Sequence, residues 1–275
     1  MNQYIAADLQ DRLRHIAARQ TASLALLTSF FLAAPVTVCR AQGWAGSDAK
    51  TEPRSLIDVP TAGMLPGGGQ AFQADFFRSD GLQAAFSYGI TDRFMVGLAY
   101  GGIGIIGTDP PDWNEVPGFL LKVRVLEEVA SFPALALGFE SQGGEGYLGD
   151  ADRFTIKSPG LYLVLSKNYN ASGFLGFHAG MNYSLEKSDG DGGINFSFGI
   201  DKSLGSFLSL IAEYNAGLND NGPESLGRRG RGYLNAGIAA SPGAGISIAF
   251  DFKDILGNQP HRGFANRALR IEFAR

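Results

Sequence analysis

Apolar and polar residues alternate one by one along most of the chain from residue 70 onward. In one such stretch, Leu82, Ala84, Phe86 and Tyr88 alternate with small or polar residues. Side chains of a β-strand point to opposite faces in turn, so a period of two indicates strands, whereas a helix repeats every 3.6 residues. Counting all such stretches predicts about twelve strands of transmembrane length. The pattern therefore predicts an all-β protein.

The connections between these stretches alternate between short and long. The short ones are residues 90–92, 127–132, 168–171, 204–205 and 242–243, and the long ones are residues 103–117, 142–158, 185–193, 218–231 and 254–266. Short periplasmic turns that alternate with longer extracellular loops are typical of barrels in the bacterial outer membrane, whose termini are periplasmic. We therefore predict a transmembrane antiparallel up-and-down β-barrel over residues 70–275.

A soluble β-sandwich or lipocalin-like barrel is the alternative, since its strands also alternate. Those folds place the apolar face inward, and a soluble barrel of this size would need a filled interior. The polar faces here contain Gly, Ser and Ala as often as charged residues. That composition suits a crowded, hydrated lumen better than a surface in contact with bulk water.

The first residues of the chain have the pattern of a secretory signal. Arg12, Arg14 and Arg19 precede an uncharged apolar stretch at residues 21–38, and Ala41 offers a small residue for cleavage. We predict a signal peptide over residues 1–41, with an uncleaved anchor as the alternative. Residues 42–69 are expected to form a periplasmic tail and a lead-in to the first strand. The chain has a single cysteine, so it forms no internal disulfide.

Composition agrees with a protein that is apolar outside and polar inside. The chain has 38 glycines and 11% aromatic residues, and only 18% of its residues are charged. A net charge of -4 without a basic patch excludes nucleic acid as a partner. The expected partners are the lipid and lipopolysaccharide of the outer membrane and the barrel-assembly machinery, with small solutes or polysaccharide as cargo.

Residues 56–66 read Leu-Ile-Asp-Val-Pro-Thr-Ala-Gly-Met-Leu-Pro and lead straight into the first predicted strand. This phrase resembles the opening of a broad group of uncharacterised outer-membrane β-barrels, which includes the YjbH-like proteins linked to exopolysaccharide production. Residues 89–94, 201–204 and 230–237 look like the same group. The resemblance implies a barrel in the outer membrane and a role in the envelope or in exopolysaccharide export, and it implies no chemistry at any residue.

Two further expectations concern the ends of the predicted barrel. Pro60 and the three glycines at residues 67–69 favour an extended stretch followed by a hinge. We expect residues 56–66 to lie against the periplasmic mouth of the barrel, with a plain linker as the alternative. At the other end, Phe273 is followed by Ala274 and Arg275, whereas outer-membrane barrels commonly end on an aromatic residue.

Polar residues of both charge signs fall on the predicted inward face. By alternation these lumen-lining residues are Gln73, Asp75, Lys122, Arg124, Glu140, His178, Asn182, Asn195, Asp201, Glu213, Asn215, Asp251, Arg270 and Glu272. Lys122 and Arg124 lie one above the other, and Glu140 on the next strand neutralises only one of them. If a water-filled path passes this point, the excess positive charge favours anions. A packed interior with charges paired across the barrel is the alternative.

Residues for catalysis or metal binding are few. His178 is the one histidine on the predicted lumen face, and no serine has a clear positional claim to be its partner, so we predict a packing role and no catalysis. Five acidic residues of the long loops lack the spacing of a defined Ca²⁺ site and are expected to be solvated: Asp109, Asp112, Glu115, Asp189 and Asp191. We expect no metal and no cofactor.

Three functions remain open on the sequence alone. The first is a passive channel, or a role in envelope or exopolysaccharide export. The second is a membrane-embedded hydrolase of lipid or envelope material, which would depend on His178. The third is an adhesion or scaffold barrel that acts through its loops, such as the one at residues 142–158.

Overall fold

The computed structural model describes residues 52–108, 110–221, 226, 228–259 and 266–275. The predicted signal peptide and Asp109 therefore lie outside the described residues. These residues form fifteen strands and a short 3-10 helix, Gly149–Ala151. The strands are β1 Gln70–Phe77, β2 Gly81–Thr91, β3 Phe94–Ile103, β4 Asp112–Trp113, β5 Gly118–Leu126, β6 Ala134–Glu140, β7 Gly144–Leu148, β8 Arg153–Ile156, β9 Gly160–Asn170, β10 Phe174–Tyr183, β11 Asn195–Leu204, β12 Leu208–Asn215, β13 Tyr233–Gly243, β14 Ile246–Lys253 and β15 Asn266–Ala274.

Twelve of these strands form a closed antiparallel barrel, which confirms the predicted fold. They are β1, β2, β3, β5, β6 and β9 to β15, and each pairs with the next in chain order. The ring closes because β15 pairs with β1, where Phe72 lies opposite Phe273. Strand β4 pairs only with the end of β3, and β7 and β8 form a separate hairpin. Closure leaves no open sheet edge among the twelve strands.

Short and long connections lie at opposite ends of the barrel, as predicted, apart from residues 78–80, which join β1 to β2 and form a short connection at the end with the long ones. At the end where β1 begins and β15 finishes, called the turn end here, residues 92–93 join β2 to β3 and residues 244–245 join β13 to β14. At the opposite end, called the loop end here, residues 141–159 join β6 to β9 and residues 216–232 join β12 to β13. One mouth of the barrel is therefore bordered by short turns, and the other is bordered mainly by long connecting segments.

Exposure of neighbouring residues on β11 shows which face of the sheet is apolar. Phe196 and Phe198 are 43% and 58% exposed, whereas Asn195 and Ser197 are 1% and 6% exposed. Large apolar side chains thus form the outer surface and polar ones the interior, the reverse of a soluble barrel. Such an apolar exterior matches the hydrocarbon of a bilayer. Within the described ranges, no helix is long and apolar enough to cross a membrane.

Residues 52–66, called the plug segment here, lie inside the barrel. The Leu56 N–H donates to the Val59 carbonyl over 2.9 Å, and the Thr61 N–H donates to the Arg54 carbonyl over 3.1 Å. These bonds form a tight hairpin-like turn with Asp58 at its tip. The expectation that this stretch lies against the mouth is therefore wrong, because it passes through the mouth and into the lumen.

The plug segment leaves the lumen at the turn end and continues as β1. The Gly67 N–H donates to Asp92 Oδ1 over 2.8 Å, and the Gly68 N–H donates to the Gly89 carbonyl over 2.7 Å. Gly68 has a φ of +81°, a conformation that residues with a side chain rarely adopt. The glycines therefore allow the reversal of direction between the plug segment and the first strand.

Apolar residues of the plug segment pack on small residues of the wall. All three buried apolar clusters found in the described residues include the plug segment: Leu56 with Ile211, Ala239 and Ala249; Ala62 with Ala134, Ala136, Tyr162 and Val164; Met64 and Leu65 with Ala71, Met95 and Ala274. A Cβ added at Gly199 would stand 2.1 Å from Leu56 Cδ1. The small inward residues of the barrel therefore provide the space that the plug segment occupies.

Candidate functional site

The tip of the plug segment is held by one carboxylate of the barrel wall. Glu213 on β12 accepts hydrogen bonds from the backbone N–H groups of Ile57, Asp58 and Val59, over 2.8, 2.8 and 3.0 Å. The Asn235 amide donates a further bond of 2.8 Å to the same carboxylate, which is 2% exposed. Successive backbone N–H groups that converge on a negative group form a compact anion site, here filled by a side chain of the wall.

The side chain at the tip makes an ion pair with the wall. Asp58 Oδ1 lies 2.6 Å from Lys253 Nζ, and the Asn235 amide donates to Asp58 Oδ2 over 3.1 Å. Lys253 is the last residue of β14 and stands at the loop end. The plug segment therefore enters from the turn end and reaches the opposite half of the lumen.

Lys122 on β5 holds the two arms of the plug segment together. Its Nζ donates to the carbonyl oxygens of Arg54, Thr61 and Gly63, over 2.7, 3.2 and 3.4 Å. The residue is only 2% exposed. A buried ammonium needs such acceptors because it has lost its water. Lys122 therefore binds the plug segment and does not face an open water path.

Arg124, two residues farther along β5, binds the same segment nearer the turn end. Its Nε and Nη2 donate to the Ala62 carbonyl over 3.0 and 2.7 Å. Its guanidinium also forms ion pairs with Glu52 of the plug segment and with Glu127. The two cations on which an anion preference was expected are thus occupied by backbone carbonyls and carboxylates.

His178 on β10 is the centre of a chain of hydrogen bonds that ends on the plug segment. Its Nε2 lies 2.8 Å from Asp201 Oδ1, its Nδ1 lies 2.8 Å from Ser166 Oγ, and Ser166 Oγ accepts the Ala62 N–H over 2.8 Å. No serine had a clear positional claim to be the partner of His178 in the sequence, and the structure shows that Ser166 is that partner. Ser166 lies directly opposite His178 across the β9–β10 pairing, a register that alternation alone does not reveal.

The order of Ser166, His178 and Asp201 is that of a nucleophile, a base and an orienting acid. All three residues are buried in the lumen wall, Ser166 at 5% and His178 at 4% exposure. With the Asp201 carboxylate accepting from Nε2, Nδ1 accepts the serine proton and the serine oxygen accepts the Ala62 N–H. The plug segment therefore covers the hydroxyl that would have to meet a substrate.

The other predicted lumen residues pair mostly with their neighbours inside the barrel. Asp75 accepts from Gln73, Asp251 pairs with Arg270, Glu272 pairs with Arg54 of the plug segment, and Asn195 donates to Asn182 and Asn215. Glu140 differs, because its carboxylate makes neither a hydrogen bond nor an ion pair with any described residue. Lys122 on the adjacent strand influences it electrostatically.

A cavity of about 130 Å³ lies between the tip of the plug segment and the loop that follows β6. Its lining residues include Gln142, Tyr162 and Asp251, whose Oε1, hydroxyl and Oδ1 atoms are buried against inward glycines of the wall and have no hydrogen-bond partner in the structure. These residues are 5%, 5% and 2% exposed. Glu140 and Asp58 line the same space, which we call the chamber.

Long segments at the loop end form a cluster of buried charges. Arg153 on β8 is fully buried and pairs with Asp189 over 2.5 Å and with Asp220 over 2.7 Å, while Lys157 pairs with Asp189 over 2.8 Å. Asp189 was expected to be a solvated loop charge, and this is wrong because its side chain is only 3% exposed and bonded to two cations. The β7–β8 hairpin is thereby fixed to two other loops.

Two carboxyl groups of this cluster have shifted pKa values. Burial acts to raise the pKa of Asp189, but hydrogen bonds from Lys157 and Arg153 outweigh it and hold that pKa below its ordinary value. Burial raises the pKa of Glu186, and hydrogen bonds from Ser158 and Phe154 offset this only in part. In the part of the chain that the structure describes, no group of three or more acidic, histidine or cysteine side chains is arranged to hold a metal ion.

No protein-family model and no curated protein sequence matches the chain. Among the solved structures that are similar to it are two porins and one further outer membrane protein. The NanC porin has a TM-score of 0.42 at 10% identity, covering 74% of this chain and 98% of that chain, and the KdgM porin has 0.45 at 8% with the same coverage. The Acinetobacter baumannii outer membrane protein Omp33 has 0.44 at 11%, covering 76% of this chain and 98% of that chain.

Proposed function

We propose that the protein is an outer-membrane channel for small polar solutes, closed at rest by its plug segment. The observation that carries the proposal is the pairing of the wall charges. Lys122, Glu213 and Lys253 each bind the plug segment, and among the residues that the structure describes none of them forms an ion pair with another wall residue. A barrel that is merely packed shut would pair these charges with one another. When the plug segment leaves, they would line a water-filled path.

The contacts of the plug segment suit reversible release. Many of them are hydrogen bonds between its backbone and charged wall groups, which water can replace at modest net cost. The glycines at residues 67–69 supply a hinge next to β1. The proposed direction of movement is toward the turn end, which in this proposal faces the periplasm.

Exopolysaccharide export, which the resemblance implies, is a more specific version of the same proposal, in which the transported solute is a polymer. It uses the same lumen and the same displacement of the plug segment. A polymer requires the loop end to open as well, because the β7–β8 hairpin is tied across it by Arg153. Transport of a short saccharide compared with a long one through reconstituted vesicles distinguishes the two forms of the proposal.

The test is conductance in planar bilayers. The parent chain should open rarely, whereas a variant lacking residues 52–64 should give discrete steps, and one that also lacks residues 144–156 should give larger steps. Each variant is first checked for a barrel by its faster migration on gels without heating. If both deletion variants form barrels and conduct no more than the parent, the plug segment does not close a channel and the proposal fails.

A hydrolase is the second candidate, favoured by the Ser166–His178–Asp201 geometry. It requires the serine oxygen to lose the Ala62 N–H and to meet a substrate. A fluorophosphonate probe reacts with an activated serine, so it should label Ser166 only if this candidate is right. Labelling of the variant that lacks residues 52–64, lost when Ser166→Ala is added, would establish the hydrolase, and a deletion variant that forms a barrel and stays unlabelled would remove it.

A further inference from the structure

The tip of the plug segment meets a wall carboxylate and a wall ammonium at one place in the lumen. Glu213 accepts three consecutive backbone N–H groups of the tip, those of residues 57–59. The Asp58 N–H is one of them, over 2.8 Å, and the Asp58 carboxylate lies 2.6 Å from Lys253 Nζ. A single residue of peptide therefore joins two wall groups of opposite charge.

Asn235 on β13 connects the two halves of this arrangement. Its amide nitrogen donates to Glu213 over 2.8 Å and to Asp58 Oδ2 over 3.1 Å. Its amide oxygen accepts the Asp254 N–H over 2.8 Å, which fixes the nitrogen toward the tip. Glu213 and Asn235 are each only 2% exposed. The wall thus provides a buried acceptor and a buried donor at the spacing that one peptide residue spans.

These wall groups have few other partners if the tip leaves. The Lys253 ammonium makes no other hydrogen bond or ion pair with any residue that the structure describes, and Glu213 keeps only its bond from Asn235. A buried charge that loses its partner is costly, so the vacated site favours an occupant that restores both contacts. Consecutive amide N–H groups beside a side-chain carboxylate are the chemistry of an acidic peptide.

The site borders the chamber, so a solute can reach it while the tip is still in place. Residues 57–59 and Lys253 line the chamber, and the side chains of Asp58 and Lys253 are 18% and 11% exposed. A carboxylate that enters the chamber can therefore approach Lys253 and compete with Asp58 for it. Such an exchange keeps the ammonium paired throughout, whereas breaking the pair first would leave a buried charge alone.

We propose that the tip of the plug segment occupies the solute site of the channel, that this site binds short acidic peptides, and that such a peptide displaces the tip. Lys253 and Asn235 bind the side-chain carboxylate of the peptide, and Glu213 binds its backbone N–H groups. Passage of the peptide rests on the proposed channel. Binding does not, because a peptide equilibrates with detergent-solubilised protein without crossing a membrane.

The experiment is calorimetric titration of the detergent-solubilised full chain at neutral pH with two capped tripeptides. N-acetyl-Ile-Asp-Val-amide has the three N–H groups and the carboxylate of the tip, and N-acetyl-Ile-Asn-Val-amide lacks only the charge. The acidic peptide should bind about tenfold or more tightly, because hydrogen bonds between charged groups are stronger than neutral ones. Equal affinities, or binding of neither peptide, would overturn the proposal.

Substitutions in the full chain assign the contacts. Asp58→Asn removes the competing carboxylate of the tip, so it should tighten binding of the acidic peptide about tenfold. Adding Lys253→Met should reduce that affinity to the affinity of the neutral peptide, and the double variant should fold because both members of the ion pair are gone. Adding Lys202→Met instead is the matched control and should change neither affinity, since this turn-end lysine binds the carbonyls of Ser172 and Ser203. A preference for the acidic peptide that survives Lys253→Met would overturn the proposal.

Displacement of the tip is measured by maleimide labelling of Ala62→Cys in a Cys39→Ser background. The acidic peptide at saturation should accelerate labelling about tenfold or more, and the neutral peptide at the same concentration should do so less, because the tip must leave before Ala62 is reached. A labelling rate that saturating acidic peptide leaves unchanged would show that peptide and tip do not compete, which overturns the proposal.

The outcomes separate the site from the channel. Binding of the acidic peptide that depends on Lys253, found together with deletion variants that form barrels and do not conduct, would keep the site and reject the channel. Conducting deletion variants together with equal affinities for the two peptides would keep the channel and reject the site.

Discussion

Asp58 at the tip of the plug segment and Lys253 at the loop end of β14 form an ion pair of 2.6 Å inside the lumen. Because both charges are largely removed from water, the pair stabilises the plugged state only while both partners are present. Lys253→Met should therefore destabilise the protein by about 3–5 kcal/mol, and the double variant Asp58→Asn with Lys253→Met by less. Free energies of unfolding in urea are measured for each single variant and for the double variant. If the effects of the two single variants add up to the effect of the double variant, the two side chains do not interact directly.

The three backbone N–H groups that converge on Glu213 give the second prediction. Glu213→Gln replaces a charged acceptor by a neutral one, and hydrogen bonds to charged groups contribute about 1.5–3 kcal/mol. Channel openings in bilayers should therefore become more frequent. Asp75→Asn is the control, because it removes the same charge from the lumen at a residue bonded to Gln73 and not to the plug segment. A similar increase in both variants would assign the effect to lumen charge instead of plug release.

The outward face of the barrel gives the third prediction. Ile200 lies in the middle of β11 and is 37% exposed, whereas Phe207 lies in the turn between β11 and β12. Ile200→Arg should cost about 2–4 kcal/mol in lipid vesicles, and Phe207→Arg only about 0–1 kcal/mol, because the cost of a charge falls toward the interface. Equal costs would mean that β11 does not cross the hydrocarbon as the structure indicates.

Acid should loosen the loop end through Asp189. Since its pKa in the folded protein is lowered, the stabilisation that it provides is present above the unfolded pKa of about 3.9 and is lost as the pH falls through the lower folded value. Hydrogen exchange in residues 153–157, corrected for its intrinsic pH dependence, should therefore accelerate in strong acid.

Two variants test this assignment. Asp189→Asn should remove the acid-dependent step, because the titrating carboxyl is gone. Glu186→Gln should retain it, because the raised pKa of Glu186 acts in the opposite sense, stabilising below about 4.3 and losing that effect as the pH rises. An acid step that persists in Asp189→Asn would contradict the assignment.

The barrel was predictable from the sequence because its signal is local. The predicted barrel begins at residue 70, where the observed β1 begins, and the alternation of short and long connections is confirmed. Alternation states which face of a strand a residue occupies within a few positions of chain, and this is enough to identify strands and their order in an up-and-down barrel.

The plug segment was not predictable because its contacts are distant in the chain. Glu213 and Ile57 are 156 positions apart, and nothing in the sequence around either residue indicates the other. The partner of His178 was missed for a related reason, since identifying Ser166 requires the register of β9 against β10, which the length of a turn does not determine uniquely. Alternation indicated a polar interior, and it carried no information on what occupies it.

The position of the plug segment is tested most directly by thiol accessibility at Ala62, which is fully buried. In a Cys39→Ser background, which removes the chain's one native cysteine, Ala62→Cys is compared with Ser206→Cys at the exposed turn end. In the folded barrel, a maleimide coupled to polyethylene glycol should label Ser206→Cys quickly and Ala62→Cys about a hundredfold more slowly, because labelling at Ala62 needs the plug segment to open. After heating, the two variants should be labelled at equal rates. Equal labelling rates in the folded barrel would show that the segment lies outside the lumen, which contradicts the account.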